Sequence, residues 1–599
     1  MVNSGRRQTI YLLGAIAVLF VLNLYFVNKT QEPIADDPLQ AYNQPKGGNG
    51  ENFVDKKHGQ HGHLRQIRCS ADGKPLTCMK DDEDVYFPFS LIKKRFDVSG
   101  HDIDENNFEW TTSYARVKIP EFKTYTYASE FGHFASYSVE TRDRVRCINP
   151  ATGIPMSTQW DSTPYYYPIQ IAQFGLQHYS RMLAANESTL RLVELGKEHR
   201  DWQGSASTVH ESSVRTYFKD DETGVEYVNV SAGAQLTNAG VYVYLKNEPD
   251  LHVVHFRWRP AENASFTFLV KVLETGSLIL LNYVQVEDTR CVWADKVAAG
   301  KDQISFTYAL GDSSNEWTNV TRDLLVDAAR AMTTLGAGKK TDNVIYHPGD
   351  LKYVSVGFRG EATLLQRIYQ KPQAHRELFL TAADWAVQIQ DSKGGWSIPV
   401  ERSIAERKLV LPPGWYSAMA QGHMLSLLTR AWTVTKNEIY LQSAVKGMEL
   451  FQKLANDGGV RNDFLENMHW YEEYPTTPGS FVLNGFLYSL IGLYDLSNVE
   501  TSKEFNKTVD EGINVANQLF INGTRSLLTL LPLFDTGSGS LYDLRHVGLG
   551  SAPNLARWDY HAVHVYLIEW LHIITGEQLL ADTAQRWAAY ARGNRAKHN

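Results

Sequence analysis

Two adjacent carboxylates, Glu472 and Glu473, stand between Tyr471 and Tyr474 in HWYEEYPTTPG (residues 469–479), and the prolines that follow hold this segment as a loop. Carboxylates and phenols set together can take a proton from a substrate and return one. The apolar stretch that follows places Asn484 and Tyr488 at i and i+4, off a stripe formed by Leu483, Leu487, Leu490 and Tyr494. GSGSLYDLRH (537–546) delivers Tyr542 and Arg545 from a Gly/Ser loop. PNLARWDYHAVH (553–564) sets Arg557, His561 and His564 on one face of a helix expected to begin at Pro553, with Tyr560 beside them. Upstream, residues 136–147 read as a strand that carries Arg142, Arg144 and Arg146 on one face, a row suited to gripping carboxylate or sulfate in bidentate fashion. Gln159 in STQW follows, then Tyr165, Tyr166 and Tyr167 with Gln170 and Gln173. Taken singly, each cluster equally fits packing or a solvated face, and three polar-aromatic clusters at successive helix-pair ends are harder to dismiss; tyrosines and amides suit a site that stacks on and hydrogen-bonds sugars, and a polar-lined core is the alternative.

Other chemistries lack their residues. There is no G-x-G-x-x-G or Walker segment for a nucleotide cofactor and no D-x-D for a sugar nucleotide in the globular part. Asp535-Thr-Gly has no second copy to complete an aspartic-protease pair. His561 and His564 form H-x-x-H without a third zinc ligand. With 59 Lys and Arg against 67 Asp and Glu, the net charge of −8 argues against nucleic acid, and any polyanion must meet a local basic patch.

These clusters need a scaffold, and the 599 residues are enough for several domains. Residues 1–9 read as a cytoplasmic tail with Arg6 and Arg7, 10–27 as an uncleaved transmembrane signal anchor, and 28–65 as a polar stem containing His58, His61 and His63. Sequons at Asn186, Asn229, Asn263, Asn319, Asn506 and Asn522 fit a lumenal chain, whereas Asn28 lies too close to the membrane. Cys69, Cys78, Cys147 and Cys291 allow up to two disulfides in any of three pairings, or free buried thiols. Short alternating runs such as 241–245, 251–258, 266–270 and 278–286 predict strands, and helical periodicity takes over after about residue 370. The expected architecture is a β-hairpin region (66–135), a β-barrel or sandwich domain (136–335) and an α/α toroid (336–599).

YSVETRDRVRC, STQW with YYYPIQIAQFG, NVTRDLL, GWYSAMAQG, WYEEYPTTPGSFVLNGFLYSLIGLYDL, DTGSGSLYDLRH, APNLARWDYH and the terminal RAKHN together closely resemble the heparan sulfate D-glucuronyl 5-epimerases, Golgi enzymes of heparan sulfate and heparin synthesis. The match runs from about residue 110 to the end; the stem and anchor do not share it, and residues 496–525 look longer than the family pattern. The resemblance implies a single-pass type II Golgi membrane protein, a homodimer, and epimerisation of D-glucuronate to L-iduronate at carbon 5 in N-sulfated polymer. It places acid/base roles on Glu473, Tyr474, Tyr542 and Tyr560. Substrate contacts fall on Tyr137, Arg142, Asp143, Arg144, Gln159, Tyr167, Gln170, Gln173, Asn484, Tyr488, Arg545, Asn554, Arg557 and His561. Calcium binding is implied without assignable ligands, no organic cofactor is expected, and other Golgi heparan-modifying enzymes are the expected partners. Chemically, Arg545 and Arg557 are suited to neutralising the uronate carboxylate while Glu473 and Tyr560 flank carbon 5. A uronate-specific lyase or a non-catalytic, membrane-anchored heparan-binding protein would use many of the same residues.

Overall fold

Apolar and aromatic residues that alternate with polar ones build strands here, and those that recur every three to four positions build helices. The computed structural model describes residues 64–597 apart from 72–73, 97, 106, 113–116, 186–189, 198, 205, 208–210, 213, 223, 237–239, 296–302, 336–342, 366, 466 and 501–506. The expected tail, anchor, nearly all of the stem and the sequons at Asn28, Asn186 and Asn506 lie outside the described residues. Among the described residues no helix is long and apolar enough to cross a membrane.

By its contacts the chain divides after Thr112. The first unit holds an antiparallel sheet of Arg65–Ala71, Lys74–Lys80 and Val85–Tyr86, crossed by the Cys69–Cys78 disulfide, then helix α1 (Phe89–Phe96) and a hairpin of Val98–Asp102 with Phe108–Thr112. The hairpin region thus ends at 112 and not at 135. Tyr125, Phe131 and Phe134 belong instead to the helical core of the second unit, because Tyr125 and Phe131 pack on Trp570 of that layer and Phe134 on Phe131 and Tyr488.

In the second unit, thirteen described strands between Val193 and Lys371 form a continuous β system whose two sheets share one long strand, Leu351–Leu365. Its first part pairs with Ser265–Val272 and its last part with Glu226–Ala232, so it passes from one sheet to the other at Gly360. Gly360 adopts φ +68°, and a Cβ there would lie 2.6 Å from the carbonyl oxygen of Asn263. Phe256, Trp258, Phe266, Phe268, Tyr283 and Phe358 fill the space between the sheets. The β domain therefore runs about 36 residues past the expected limit of 335.

Its expected start at 136 also moves. Residues 132–141 form two short 3₁₀ turns, and Pro168 opens helix α2 (Pro168–Ala184), whose residues 168–180 are all buried in the helical layer. Helix α3 (Leu324–Leu335) packs on the β domain, while α2 packs on α4 (His375–Ile389) and α5 (Ala418–Thr435). Then α5 meets α6 (Glu438–Met448) and α7 (Leu483–Ser497), and α7 meets α8 (Lys507–Leu530). After the short α9 (Arg545–Leu549), α10 (Trp558–Thr575) packs on α7 and α11 (Gln578–Ala591). The leucine stripe of α7 is core, but Asn484 and Tyr488 on its other side are buried too, so that side faces protein interior. Cys147 pairs with Cys291, tying the segment before α2 to the β domain.

Candidate active site

The hairpin Arg461–Phe464 with Met468–Tyr471 carries the chain to Glu472 and Glu473, which point to different surroundings. Glu472 is fully buried and saturated: it accepts from Asn462 Nδ2 (3.0 Å), Ser480 Oγ (2.9 Å) and the Phe481 amide (2.9 Å). It closes the 472–481 loop. Glu473 accepts from Asn484 Nδ2 at 3.2 Å beside the Tyr474 hydroxyl and lies flat against α7. Gly485 makes that approach possible, since a Cβ there would sit 2.6 Å from Glu473 Oε2. Burial pushes both carboxyls up to about 7, against the pull of their hydrogen-bond donors and, for Glu473, of Arg402.

Next to Glu473 opens a cleft of about 330 Å³ lined by Tyr474, Tyr542, Tyr560, Gln159, Trp160, Arg402, Asp543, Arg545, Asn554 and Arg557. Tyr542 and Tyr560 meet edge to face at 4.8 Å. Burial and the nearby Glu473 carboxylate raise the Tyr474 and Tyr542 phenols well above 10, and Tyr560 is raised by the same two causes. Burial, then Tyr474 and Glu473, raise Tyr167 as well. Near neutral pH the cleft thus presents protonated phenols and Asp543 in its walls, with the Glu473 carboxyl, raised to about 7, buried next to it, a proton acceptor beside proton donors. Two larger depressions of about 500 and 530 Å³ on the β domain share no lining residue with it.

A second polar group lies along α2 and α7. Arg142 donates to Gln173 Oε1 (2.7 Å) with its guanidinium 5.6 Å from the Tyr137 ring, and Tyr488 neighbours Tyr137. Gln170 Oε1, Asn484 Oδ1 and His423 Nε2 are buried without a partner, the kind of atoms a hydroxylated ligand would satisfy.

Several expected placements change. Residues 139–141 form a 3₁₀ turn and only Val145–Ile148 is strand, so the arginine row does not exist. Glu140 is buried, accepts from Gln177 and Arg181, and holds that turn; Arg330 of α3 ties down the carbonyls of Arg142 and Val145. The three arginines diverge: Arg142 to Gln173, Arg144 to the Gln159 carbonyl (3.3 Å), Arg146 to the Val292 carbonyl (3.2 Å). Asp143 and Arg144 are exposed. The last cluster's helix starts at Trp558, not Pro553, because Asn554–Leu555 pairs as a strand with Leu541–Asp543, and Asn554 Nδ2 binds Asp543 Oδ2 at 2.7 Å.

His561 turns away from the cleft. Its Nε2 must donate to the Trp587 carbonyl of α11 (2.9 Å), so its Nδ1 accepts from Ser540 Oγ (2.8 Å), which in turn accepts from His564 Nδ1 (2.9 Å). Burial holds both imidazoles neutral, with His564 pushed down to about 3. This chain fixes α10, which bears Tyr560, to the loop before Tyr542; it contacts no cleft space. Arg545 and Arg557 do line the cleft, yet each has an acidic partner: Asp543 at 3.4 Å and Asp559 at 3.0 Å.

Arg402, Trp160 and Asp543 are cleft residues that sequence reasoning passed over. Trp160 and Asp543 sat inside quoted motifs. Arg402 lies in a hairpin, Arg402–Ile404 with Leu409–Leu411, where nothing in the surrounding VERSIAERKL marks it.

Fold and site together define a two-layer acid–base enzyme, a β domain joined to a helical layer whose cleft sets a carboxylate among phenols. Residues 390–589 match the model of the D-glucuronyl C5-epimerase C-terminus and residues 227–361 that of the D-glucuronyl C5-epimerase β-sandwich domain. A Caenorhabditis elegans D-glucuronyl C5-epimerase is 51% identical, with 99% of each chain covered. An uncharacterized Methanocaldococcus jannaschii protein is 27% identical over 30% of this chain and 53% of its own. A solved polysaccharide lyase aligns over 67% of this chain and 74% of its own at 14% identity and TM-score 0.19, too slight a likeness to carry fold or function. The chain belongs to the D-glucuronyl C5-epimerase family. It is an isomerase that inverts carbon 5 of D-glucuronyl units.

Proposed function

We propose that the substrate is D-glucuronate within N-sulfated heparosan, converted to L-iduronate during heparan sulfate and heparin synthesis, and that Glu473 and a tyrosine act on opposite faces of the ring. One observation carries this reading: the Glu473 carboxyl, raised to about 7, is held by Asn484 and Gly485 beside Tyr474, next to a cleft whose walls carry the protonated phenols of Tyr474, Tyr542 and Tyr560.

In the forward direction Glu473 accepts the carbon-5 proton, because it is the group ionised near pH 7 while the phenols are not. The released electron pair moves onto the carbon-6 carboxylate. Tyr560 or Tyr542 then donates to the opposite face of carbon 5, and Tyr474, adjacent to Glu473, relays the proton that resets the pair. Tyr167, Gln159, Asn554, Arg545 and Arg557 contact the sugar at the cleft; Tyr137, Arg142, Asp143, Arg144, Gln170, Gln173, Asn484 and Tyr488 extend those contacts along the chain. His561 acts behind Tyr560 as a positioning residue.

In the same reading residues 10–27 anchor a type II Golgi protein, the helices close as an α/α toroid, and the enzyme works as a homodimer beside other heparan-modifying enzymes. Asn229, Asn263 and Asn319, all exposed, accept N-glycans. Calcium rests on family resemblance: among the described residues no three His, Cys, Asp or Glu converge as a metal site, no ligand is assigned, and no step passes through the ion. The test is incubation with N-sulfated heparosan followed by disaccharide analysis. L-iduronate without an unsaturated uronate is expected. An unsaturated, ultraviolet-absorbing product, or polymer bound and recovered unchanged, would refute the reading.

A further inference from the structure

A uronate entering the cleft brings a carboxylate at carbon 6, directly beside the C–H that must ionise. When that proton leaves, the electron pair can only be stored on this carboxylate, which becomes a dianion, so a cation must already be waiting there. Three guanidinium groups line the cleft: Arg402, Arg545 and Arg557. Arg545 is engaged by Asp543, and Arg557 by Asp559 with 64% of its side chain exposed. Arg142 donates to Gln173 and does not line the cleft.

Arg402 differs from all of these. Among the described residues its guanidinium makes no hydrogen bond and no ion pair, and its Nε is buried without a partner. Two rings hold it instead, Trp160 at 4.8 Å and Tyr474 at 5.4 Å from the guanidinium carbon. The two rings adjoin each other, their centroids 6.5 Å apart, and flank the guanidinium without offering acceptors to its N–H donors, which stay unspent. The geometry is that of a bidentate carboxylate receptor with its anion missing from the protein's own complement.

We propose that Arg402 is the carboxylate anchor of the reaction: its guanidinium edge binds the carbon-6 carboxylate of the D-glucuronyl unit and holds the dianion formed at proton removal. The assignment rests on Glu473 being the base. The C5–H bond breaks, the proton goes to Glu473, the electron pair goes to the carboxylate held by Arg402, and a phenol O–H returns a proton to carbon 5 on the other face. Arg402 keeps its charge throughout, and no oxidant, reductant or co-reactant is consumed. Arg402 lies against Tyr474, the neighbour of Glu473, and acts on the Glu473 carboxyl, so anchor and base lie close to one another.

The test compares full-length wild type, Arg402→Gln, Arg402→Lys and Arg545→Gln for kcat/KM on N-sulfated heparosan and for carbon-5 exchange in deuterated water, with thermal unfolding as a folding control. Arg402→Gln is expected to lose about a thousandfold in kcat/KM, a larger loss than that of Arg545→Gln. Millimolar guanidinium should recover about tenfold or more in Arg402→Gln and nothing in Glu473→Gln. The acid limb of the pH profile should move above its wild-type midpoint in Arg402→Gln, since Arg402 is the cation facing Glu473 among Tyr167, Tyr474, Tyr542, Tyr560, Asp543 and Asn484. A folded Arg402→Gln within about threefold of wild type, or a loss that guanidinium rescues in Arg545→Gln instead, overturns the proposal. Should Arg402→Gln not fold, Arg402→Lys decides: wild-type kcat/KM refutes the fork, and a loss of about thirtyfold or more at unchanged thermal stability supports it. Wild type that exchanges no deuterium defeats the Glu473 mechanism itself; wild type that exchanges beside an equally active Arg402→Gln defeats only the anchor.

Discussion

Arg430 in the helical core and Arg402 in the cleft are two arginines of one layer with opposite surroundings. Arg430 is fully buried and spends its donors on Asp495 (2.6 Å), the Tyr125 hydroxyl (2.7 Å) and the carbonyls of Ser426 and Ser129. Asp495 takes a further hydrogen bond from Tyr125. Arg402 has rings for neighbours and an idle edge. The carboxylates repeat the contrast within two residues: Glu472 accepts three donors, whereas Glu473 accepts from Asn484 beside a phenol. A buried charge with every partner in place fixes structure, and one left short of partners stores capacity for a ligand and a proton.

The largest expected effect on chemistry is from Glu473→Gln, which keeps the shape and removes the base. Its kcat should fall about a thousandfold or more in steady-state assays. A near-native rate would place Glu473 with Glu472 as a purely structural carboxylate. The largest expected effect on folding is at the saturated pair. Arg430→Met strands Asp495 in the core and should lower stability by about 3–5 kcal/mol in denaturant titration, while the kcat of the folded fraction stays near wild type.

Stability against pH sharpens the two glutamates further. The folded pKa of Glu473 lies near 7, above the unfolded value of about 4.3. Between those values the unfolded chain releases a proton that the folded chain keeps, so this group costs stability as pH rises from about 4.3 to 7. Glu473→Gln should therefore be more stable than wild type at pH 8, by on the order of 3–4 kcal/mol, and the gain should vanish below about pH 4. Glu472 shares the raised pKa, but a Gln there cannot accept from all three donors, so Glu472→Gln should lose stability at pH 5 by about 1–3 kcal/mol. Thermal unfolding of both variants at the two pH values checks the pair of signs.

The smallest effect tests how tightly the proton acceptor is held. Gly485→Ala pushes a methyl against Glu473, with contacts of 2.5–2.6 Å that force it to shift. A loss of about tenfold in kcat with KM nearly unchanged is expected, since misplacement of the base affects the transition state more than binding.

Much of this contrast was legible in the chain, and the rest was hidden for physical reasons. The helices α4 to α7, α10 and α11 follow from apolar periodicity, and Glu473, Tyr474, Tyr542 and Tyr560 stand in dense polar-aromatic runs that the fold brings to one cleft or its edge. The period-two arginines of 142–146 misled, because tertiary bonds from Gln177, Arg181 and Arg330 hold a 3₁₀ turn at 139–141 and a bend and turn at 142–144, so that strand begins only at Val145. His561 shared a helix with Tyr560, but only the position of Trp587 and Ser540 shows that it faces inward. Arg402 carried no local signal at all: what distinguishes it is the absence of a hydrogen-bond or ion-pair partner among the described residues, a property of the fold.

The fate of hydrogen at carbon 5 tests proton transfer through Glu473 most directly. Wild type and Glu473→Gln, each incubated with N-sulfated heparosan in deuterated water, would be compared for deuterium at carbon 5 in both product and recovered uronate. Deuterium in both pools with wild type, and in neither with Glu473→Gln, is the predicted result. Iduronate formed without deuterium, or full exchange by Glu473→Gln, would contradict proton transfer through Glu473.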